Sequence, residues 1–190
     1  SGNWVTTALE TDMGAGSYSS IAVDSNDKVH ISYYGNYYGD LKYITNTSGS
    51  WVAETVDTKG QYSSIAIDSS NKAHIVYNST TTYKLKYANN TSGAWVVSAI
   101  DTAGNNPSYP SIAVDSGDKT HVSYFDTIAM GNSELRHAEN TSGVWAVSTI
   151  ESAANPSGDT SIAVDSNGKI HISYLYSYRY RHPILLDWEV

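Results

Sequence analysis

The chain has 190 residues and a formal net charge of −8, with 11 Lys and Arg against 19 Asp and Glu. This balance argues against a nucleic acid as partner, because such binding depends on clustered Lys and Arg. The sequence contains no cysteine for disulfides or thiolate metal sites, and no apolar run long enough for membrane insertion. Sixteen Tyr and five Trp against one Phe suit a sheet-rich chain that presents polar aromatic surfaces.

The first predicted elements are four short strands within residues 19–57. They are "SSIAVD", "KVHISYY", "DLKYIT" and "WVAETVD", and the turn "NTSG" precedes the fourth. Each is a β-branched or alternating run bounded by turn residues, which is typical of strands. Because no stretch shows a sustained helical period with caps, we predict an all-β chain.

The same pattern then returns three times. The stretch "SSIAVDSNDKVHISYY" is followed by "SSIAIDSSNKAHIVYN", "PSIAVDSGDKTHVSYF" and "TSIAVDSNGKIHISYL", at intervals of 44 to 50 residues. Four antiparallel strands in a repeat of this length predict a β-propeller. We place its four blades at about 5–51, 52–95, 96–145 and 146–188, in one domain covering 1–190.

The two ends of the chain bear on how the ring closes. "SGNW" at the start matches the "SGSW", "SGAW" and "SGVW" that open the fourth strands, so the strand at Trp4 is expected to complete the last blade. Tyr178-Arg179-Tyr180 has the spacing to Trp188 that is expected of a third strand, which leaves the tail "RHPILLDWEV" outside the ring or competing for that place. The alternative is half of a larger ring, a homo-oligomer that closes by dimerisation.

The stretches "AVDSNDKVHISY" and "AVDSNGKIHISY" resemble the Asp-box repeats of sialidase-type bacterial propellers. The resemblance covers nearly the whole chain and implies a propeller fold, a glycan as ligand or substrate, and a secreted or cell-surface bacterial protein. This sequence has His where the Asp-box pattern has an aromatic residue.

Each repeat also pairs an Asp with a His six residues later. The pairs are Asp24 and His30, Asp68 and His74, Asp115 and His121, and Asp165 and His171. An active site needs one copy whereas every blade needs the same fastening, so we predict that these pairs are structural. Metal binding and general base catalysis are the alternatives. The loops lack the closing Glu of a calcium loop, and we expect no metal or other cofactor.

The repeats differ mainly in two connections, from the second strand to the third and from the fourth to the next first strand. Since strands alternate in direction, both connections emerge on one face, where we expect the ligand. The predicted ligand-binding residues are Tyr37, Tyr38, Asp40, Tyr83, Asp126, Asn132, Glu134, Tyr176 and Tyr178, with Asn105, Asn106 and Asp159 nearby. Tyr rings beside amides and carboxylates suit sugars, although ordinary loop composition explains the same residues.

The leading functional hypothesis is therefore a non-catalytic, lectin-like glycan-binding propeller. The alternatives are a glycoside hydrolase of the sialidase-like type and a protein-interaction scaffold. A hydrolase needs two carboxylates at a defined separation, and Asp126 with Glu134 is the pair that the sequence offers. A sialidase also needs an Arg cluster, but Arg136 and Arg179 stand where other repeats have Lys.

Overall fold

The fold is seen in a computed structural model. It describes residues 3–11, 14–35, 38–102, 106–128, 133–141, 143–152, 156–178 and 180–188, without the side chains of 141, 156–157, 176–178 and 180–188. These ranges contain fifteen strands. No helix capable of crossing a membrane is found in them.

The strands form four antiparallel sheets, each built from consecutive strands. Sheet 1 contains β1 (Ser17–Val23), β2 (Val29–Gly35), β3 (Asp40–Thr45) and β4 (Val52–Asp57). Sheet 2 contains β5 (Gly60–Ile67), β6 (Ala73–Ser79), β7 (Leu85–Asn89) and β8 (Val96–Asp101). Sheet 3 contains β9 (Pro107–Val114), β10 (Thr120–Thr127), β11 (Ser133–Thr141) and β12 (Val144–Glu151). Sheet 4 contains β13 (Pro156–Val164), β14 (Ile170–Tyr178) and β15 (Tyr180–Trp188).

The core lies between neighbouring sheets. Leu41 and Tyr43 of sheet 1 pack with Ile65, Ile75 and Tyr77 of sheet 2, and equivalent clusters join sheets 2 and 3 and sheets 3 and 4. Every residue of β6 is buried because a sheet covers each of its faces, whereas the first four residues of β8 are exposed. The fourth strands of sheets 1 to 3 therefore lie on the outside.

The four sheets follow one another in an open series. The first strands pack consecutively, with β1 against β5, β5 against β9 and β9 against β13, and no comparable packing joins β13 to β1 among the described residues. Closure of the ring within this chain is thus not observed.

Both ends of the chain differ from the predicted closure. Residues 3–11 form no strand, and Trp4 is 99% exposed. The tail instead supplies β15, which pairs with β14 from Tyr178 opposite Tyr180 to Ile170 opposite Trp188. Of Tyr178-Arg179-Tyr180, which were predicted in a third strand, Tyr180 does begin the third strand of sheet 4, but Tyr178 ends β14 and Arg179 lies outside the described residues. Residues 183–188 of the tail lie in register with 170–175, so sheet 4 has three strands in the described part of the chain.

Candidate functional site

One edge of the sheets, which we call the turn face, carries the turns at residues 24–28, 68–72, 115–119 and 165–169. Asp24 illustrates the arrangement. Its Oδ1 accepts the backbone N–H groups of Asn26 and Lys28, each at 2.8 Å, and its Oδ2 lies 3.2 Å from His30 Nε2. The Nδ1 atom of His30 is 2.5 Å from the hydroxyl oxygen of Tyr43. Turn, second strand and third strand are thereby connected through one buried imidazole.

The Asp–His contact is present in all four sheets. The other Nε2–Oδ2 distances are 3.0 Å for His74–Asp68, 3.3 Å for His121–Asp115 and 3.4 Å for His171–Asp165. Burial works against the ionisation of Asp24, but hydrogen bonds from Lys28, Asn26 and His30 outweigh it and hold the pKa of this carboxyl below its ordinary 3.8. In sheets 1 to 3 the paired groups lie largely inside the fold, whereas the His171–Asp165 pair is about one-third exposed.

Sheet 3 departs from this pattern at one residue. His137 stands where sheets 1 and 2 have Tyr43 and Tyr87, and its ring stacks on His121 with centroids 5.4 Å apart. Burial, followed by the charge of His121, lowers the pKa of His137 from 6.5 to about 4. A cavity of about 120 Å³ lies beside His137, Ile170 and Ile172, between sheets 3 and 4.

A second set of hydrogen bonds joins neighbouring sheets, and the sequence analysis missed it. An acidic residue at or near the end of each fourth strand accepts from a Tyr hydroxyl on the second strand of the next sheet. The pairs are Asp57 with Tyr77 at 2.5 Å, Asp101 with Tyr124 at 2.9 Å, and Glu151 with Tyr174. The recurring endings "TVD", "AID" and "TIE" were the available signal.

Asp126 and Glu134, the carboxylate pair considered for hydrolysis, contact an Arg that joins sheets 2 and 3. Arg136 Nη1 lies 3.0 Å from Asp126 Oδ2, and its Nη2 lies 2.8 Å from Glu134 Oε2. The same Nη1 is 2.6 Å from Asp101 Oδ2. Asp126 has 0% exposure and lies against Arg136, which also contacts Asp101 of sheet 2, so it does not reach the surface on which ligand binding was predicted. Both carboxylates are engaged by one guanidinium.

The opposite edge, which we call the loop face, has an unusual row of Tyr residues. Tyr18, Tyr62 and Tyr109 each sit in a β-bulge where the first strand of a sheet shifts register against the second. The ring centroids are 4.3 Å apart for Tyr18 and Tyr62, and 5.4 Å apart for Tyr62 and Tyr109. With Asp159 and several Ser hydroxyls, they line a cavity of about 250 Å³, here called the axial cavity.

These Tyr residues adopt a backbone conformation that bulky side chains avoid. Their φ angles are 53°, 54° and 49°, and that of Tyr83 in the β6–β7 connection is 53°. A bulky residue in the left-handed region is strained, and such strain of order 1 kcal/mol clusters at functional sites. A hydrogen bond to Tyr18, followed by burial, raises the pKa of Tyr62 to about 12. The conformation directs the rings into the axial cavity at a cost to the fold.

A second cavity on the loop face lies between sheets 2 and 3 and has a volume of about 230 Å³. We call it the side pocket. It is lined by Gln61, Tyr62, Asn78, Ser79, Tyr83, Asn106, Pro107, Ser108 and Tyr109. Tyr83 is 63% exposed at its mouth, and Tyr62 and Tyr109 are shared with the axial cavity. The pocket therefore presents aromatic rings together with amide and hydroxyl groups.

Asn78 is the most unusual residue of the side pocket. It is 6% exposed, and its Nδ2 donates to the carbonyl of Pro107 at 2.7 Å. Its Oδ1 is buried without a hydrogen-bond partner among the described residues. The corresponding positions of sheets 1 and 3 hold Tyr34 and Phe125. An unpaired buried acceptor costs about 1–3 kcal/mol, which an apolar residue would avoid.

The predicted ligand residues are distributed unevenly over the loop face. Tyr83 and Asn106 line the side pocket, and Asp159 lines the axial cavity. Tyr38 is 66% exposed and Asp40 begins β3, so both belong to sheet 1 and not to the side pocket. Tyr37, Asn105 and Asn132 lie outside the described residues, and Tyr176 and Tyr178 are on β14 where side chains are not described.

Tyr18, Tyr62, Tyr109 and Asn78 were not nominated from the sequence. The Tyr residues recur in "GSYSS", "GQYSS" and "PSYPS", just before each first-strand motif, and this repetition was a usable signal. Asn78 could have been found as the amide at a position where the other repeats have Tyr34, Phe125 and Leu175. No group of three His, Asp or Glu suited to a metal ion occurs in the part of the chain that the structure describes.

Known structures share this architecture at low sequence identity. The chain is similar to AofleA from Arthrobotrys oligospora, with a TM-score of 0.68 and 14% identity over 92% of this chain and 54% of that one. It is also similar to the Hadza microbial sialidase Hz136, with a TM-score of 0.66 and 7% identity over 92% and 45% of the two chains. A third similar structure is the alpha-L-arabinofuranosidase from Lactobacillus brevis, with a TM-score of 0.59 and 12% identity over 85% of this chain and 63% of that one.

The chain spans about half the length of the first two of these proteins. No protein-family model and no curated protein matches the sequence, so the Asp-box resemblance stays a prediction. Four antiparallel sheets arranged as in these structures show that the chain has an all-β fold of the β-propeller class.

Proposed function

We propose that this protein is a non-catalytic glycan-binding protein whose side pocket holds a neutral sugar ring. Tyr62, Tyr83 and Tyr109 supply aromatic faces around the pocket. Sugar C–H groups stack on such faces, while the ring hydroxyls need hydrogen-bond partners. A volume of about 230 Å³ suits one monosaccharide unit of a longer glycan.

The observation that carries the proposal is the unpaired Oδ1 of Asn78. A sugar hydroxyl that donates to this buried acceptor would relieve the desolvation cost that the free protein bears. Because the Asn78 amide is already held by the carbonyl of Pro107, its Oδ1 is oriented before the ligand arrives. Preorganised polar groups increase affinity by reducing the entropy lost on binding.

Charge defines the class of sugar. None of the described residues lining the side pocket is Lys, Arg, Asp or Glu. A sialic acid or uronic acid would bring a carboxylate without a cationic partner, which is costly in a partly buried site. We therefore assign the pocket to neutral sugars.

Two of the similar structures are glycosidases by name, a sialidase and an alpha-L-arabinofuranosidase, which supports a carbohydrate as the ligand class. Hydrolysis is less well supported. The two nominated carboxylates, Asp126 and Glu134, are both ion-paired with Arg136, and Asp126 is fully buried. A glycosidase needs one acid and one base or nucleophile facing the glycosidic oxygen.

The test is a titration calorimetry panel of methyl glycosides of neutral hexoses, deoxyhexoses and pentoses, with sialic acid for comparison. We expect at least one neutral sugar to bind and sialic acid not to bind. Tyr83→Ala should weaken binding about tenfold or more, because it removes an exposed ring at the mouth of the pocket.

Tyr38→Ala is the matched control. Tyr38 is exposed to nearly the same extent as Tyr83, 66% against 63%, but does not line the side pocket, so its removal should change the affinity less than about threefold. Unchanged affinity in Tyr83→Ala, or no binding to any neutral sugar, would contradict the proposal. Turnover of a chromogenic glycoside that is lost in Glu134→Gln would replace it with hydrolysis.

A further inference from the structure

Sheet 1 exposes an apolar side that its counterparts bury. Ile21 is 65% exposed, whereas the equivalent Ile65, Ile112 and Ile162 of sheets 2 to 4 are 6%, 6% and 7% exposed. Each of the buried residues is covered by the preceding sheet in the series. We call the side of sheet 1 that carries Ile21 and Val23 its leading side.

On each preceding sheet, the surface that covers the isoleucine carries a Ser hydroxyl that accepts the backbone N–H of that isoleucine. Ser20 Oγ accepts the backbone N–H of Ile65 at 3.2 Å, Ser64 Oγ accepts that of Ile112 at 3.3 Å, and Ser111 Oγ accepts that of Ile162 at 3.2 Å. Ser161 occupies this position in sheet 4, where it is exposed together with Ala163. The outer side of sheet 4, here called its trailing side, therefore matches the surface that covers an isoleucine.

On the turn face, the leading side of sheet 1 and the trailing side of sheet 4 also match the surfaces that join neighbouring sheets. Ser25 donates through N–H and Oγ–H to Asn71 Oδ1 of the next sheet, at 3.1 and 2.8 Å. Ser69 donates in the same way to the carboxylate of Asp118, at 2.8 and 2.7 Å. By position in the turns, Asp27 on the leading side of sheet 1 corresponds to the acceptors, and its φ of 57° matches their 60° and 61°. Ser166 of sheet 4 corresponds to the donors.

Residues 3–11 form no strand, but they share sequence and one side-chain contact with the fourth strands of the sheets. Glu10 accepts from the hydroxyl of Tyr33 at 3.0 Å, which is the contact that Asp57 and Asp101 make with the following sheet. The stretch "SGNWVTTALE" matches the fourth-strand stretches "SGSWVAETVD" and "SGAWVVSAID". Sheet 4, in turn, has only three described strands.

The cavity beside His137 marks where such a strand would add its Trp. At the two complete junctions, Trp95 lies 5.1 Å from Tyr43 and Trp145 lies 5.1 Å from Tyr87, measured between ring centroids. His137 is the equivalent of these Tyr residues, and the cavity of about 120 Å³ lies next to it. Trp4 is exposed and holds the matching place in residues 3–11.

We propose that the leading side of sheet 1 binds the trailing side of sheet 4 of a second copy, and that residues 3–11 add to β15 of that copy as its fourth strand. Two such junctions close a head-to-tail dimer. The backbone pairing supplies hydrogen bonds along an open sheet edge, and Trp4 supplies the anchor. A second copy is the occupant because, among the described residues of one chain, no packing comparable to that of β1 against β5 joins β13 to β1.

Sedimentation velocity of this chain tests the proposal. We expect a species of twice 20.6 kDa that dissociates on dilution. Ile21→Asp should weaken association at least about 100-fold, because it would bury an unpaired carboxylate. Val144→Asp is the matched control: Val144 is 70% exposed on the outer strand β12, so dimerisation should be unchanged. A monomer at about 100 μM, or equal effects of the two substitutions, would overturn the proposal.

A mixing experiment checks the head-to-tail geometry. Ile21→Asp damages the leading side and Ala163→Asp the trailing side, so each variant alone should be monomeric. A mixture of the two regains one intact junction and should form a heterodimer. No recovery, with both variants folded by circular dichroism, would contradict this arrangement. Glycan affinity should be the same in Ile21→Asp, because the side pocket lies within sheets 2 and 3.

Discussion

The turn face and the loop face use buried polar groups in opposite ways. On the turn face, His74 lies between Asp68 and Tyr87, and both of its ring nitrogens have partners inside the fold. On the loop face, Asn78 has a buried oxygen without a hydrogen-bond partner in the described part of the chain, and Tyr83 holds a strained backbone conformation. A satisfied polar network stabilises a fold, while an open one destabilises it. The difference separates residues that build this protein from residues available to a ligand.

The largest effect on the free energy of unfolding should come from removing a buried, hydrogen-bonded side chain of the turn face. His74→Ala leaves Asp68 and the hydroxyl of Tyr87 without their partner, so we expect the free energy of unfolding to fall by about 3 kcal/mol. His171→Ala is the control within the chain, since its pair with Asp165 is 31% and 36% exposed against 6% and 7% for the pair of His74. It should cost less than about 1 kcal/mol in a urea titration. Equal losses of unfolding free energy in the two variants would contradict the claim that the buried pair contributes more to stability than the exposed pair.

A smaller effect on the free energy of unfolding should come from His137, which stands where sheets 1 and 2 have a Tyr. Its folded pKa of about 4 lies below 6.5, so unfolding takes up a proton between these values. The free energy of unfolding should therefore fall by roughly 2 kcal/mol as the pH drops from 6.5 to 4.

His137→Tyr restores the residue of sheets 1 and 2 and should remove the decline between pH 6.5 and 4. Below this range both proteins should lose stability, because the pKa values of Asp24 and Asp115 are lowered and their ionised forms stabilise the fold. Denaturant titrations at several pH values measure both effects. An unchanged slope in His137→Tyr would show that another group is responsible.

Sequence periodicity predicted the architecture because each sheet uses the same local devices. The Asp of each repeat accepts turn N–H groups and lies beside the His six residues later, so the turn and the second strand are determined by neighbours in sequence. The all-β class and the four-strand units of sheets 1 to 3 follow from the same local patterns.

The site was harder to predict because it depends on contacts between sheets and on backbone geometry. The bulges that turn Tyr62 and Tyr109 into the cavities have no signature in hydrophobic alternation. Arg136, which engages Asp126, lies ten residues away on the neighbouring strand, so the burial of Asp126 required the sheet register. The pairing of the tail with β14 likewise depended on register.

The smallest effect on the free energy of unfolding is expected for Asn78→Leu. This variant tests the central claim that Asn78 on the loop face binds a ligand and His74 on the turn face stabilises the fold. Asn78→Leu loses one hydrogen bond to Pro107 but removes an unpaired buried oxygen, so the free energy of unfolding should change by less than about 1 kcal/mol.

The decisive measurement is sugar affinity and unfolding free energy for Asn78→Leu and His74→Ala side by side. We expect Asn78→Leu to keep its stability and lose sugar binding, and folded His74→Ala to lose stability and keep its affinity. The reverse pattern, binding retained in Asn78→Leu and lost in folded His74→Ala, would contradict the assignment of the two faces.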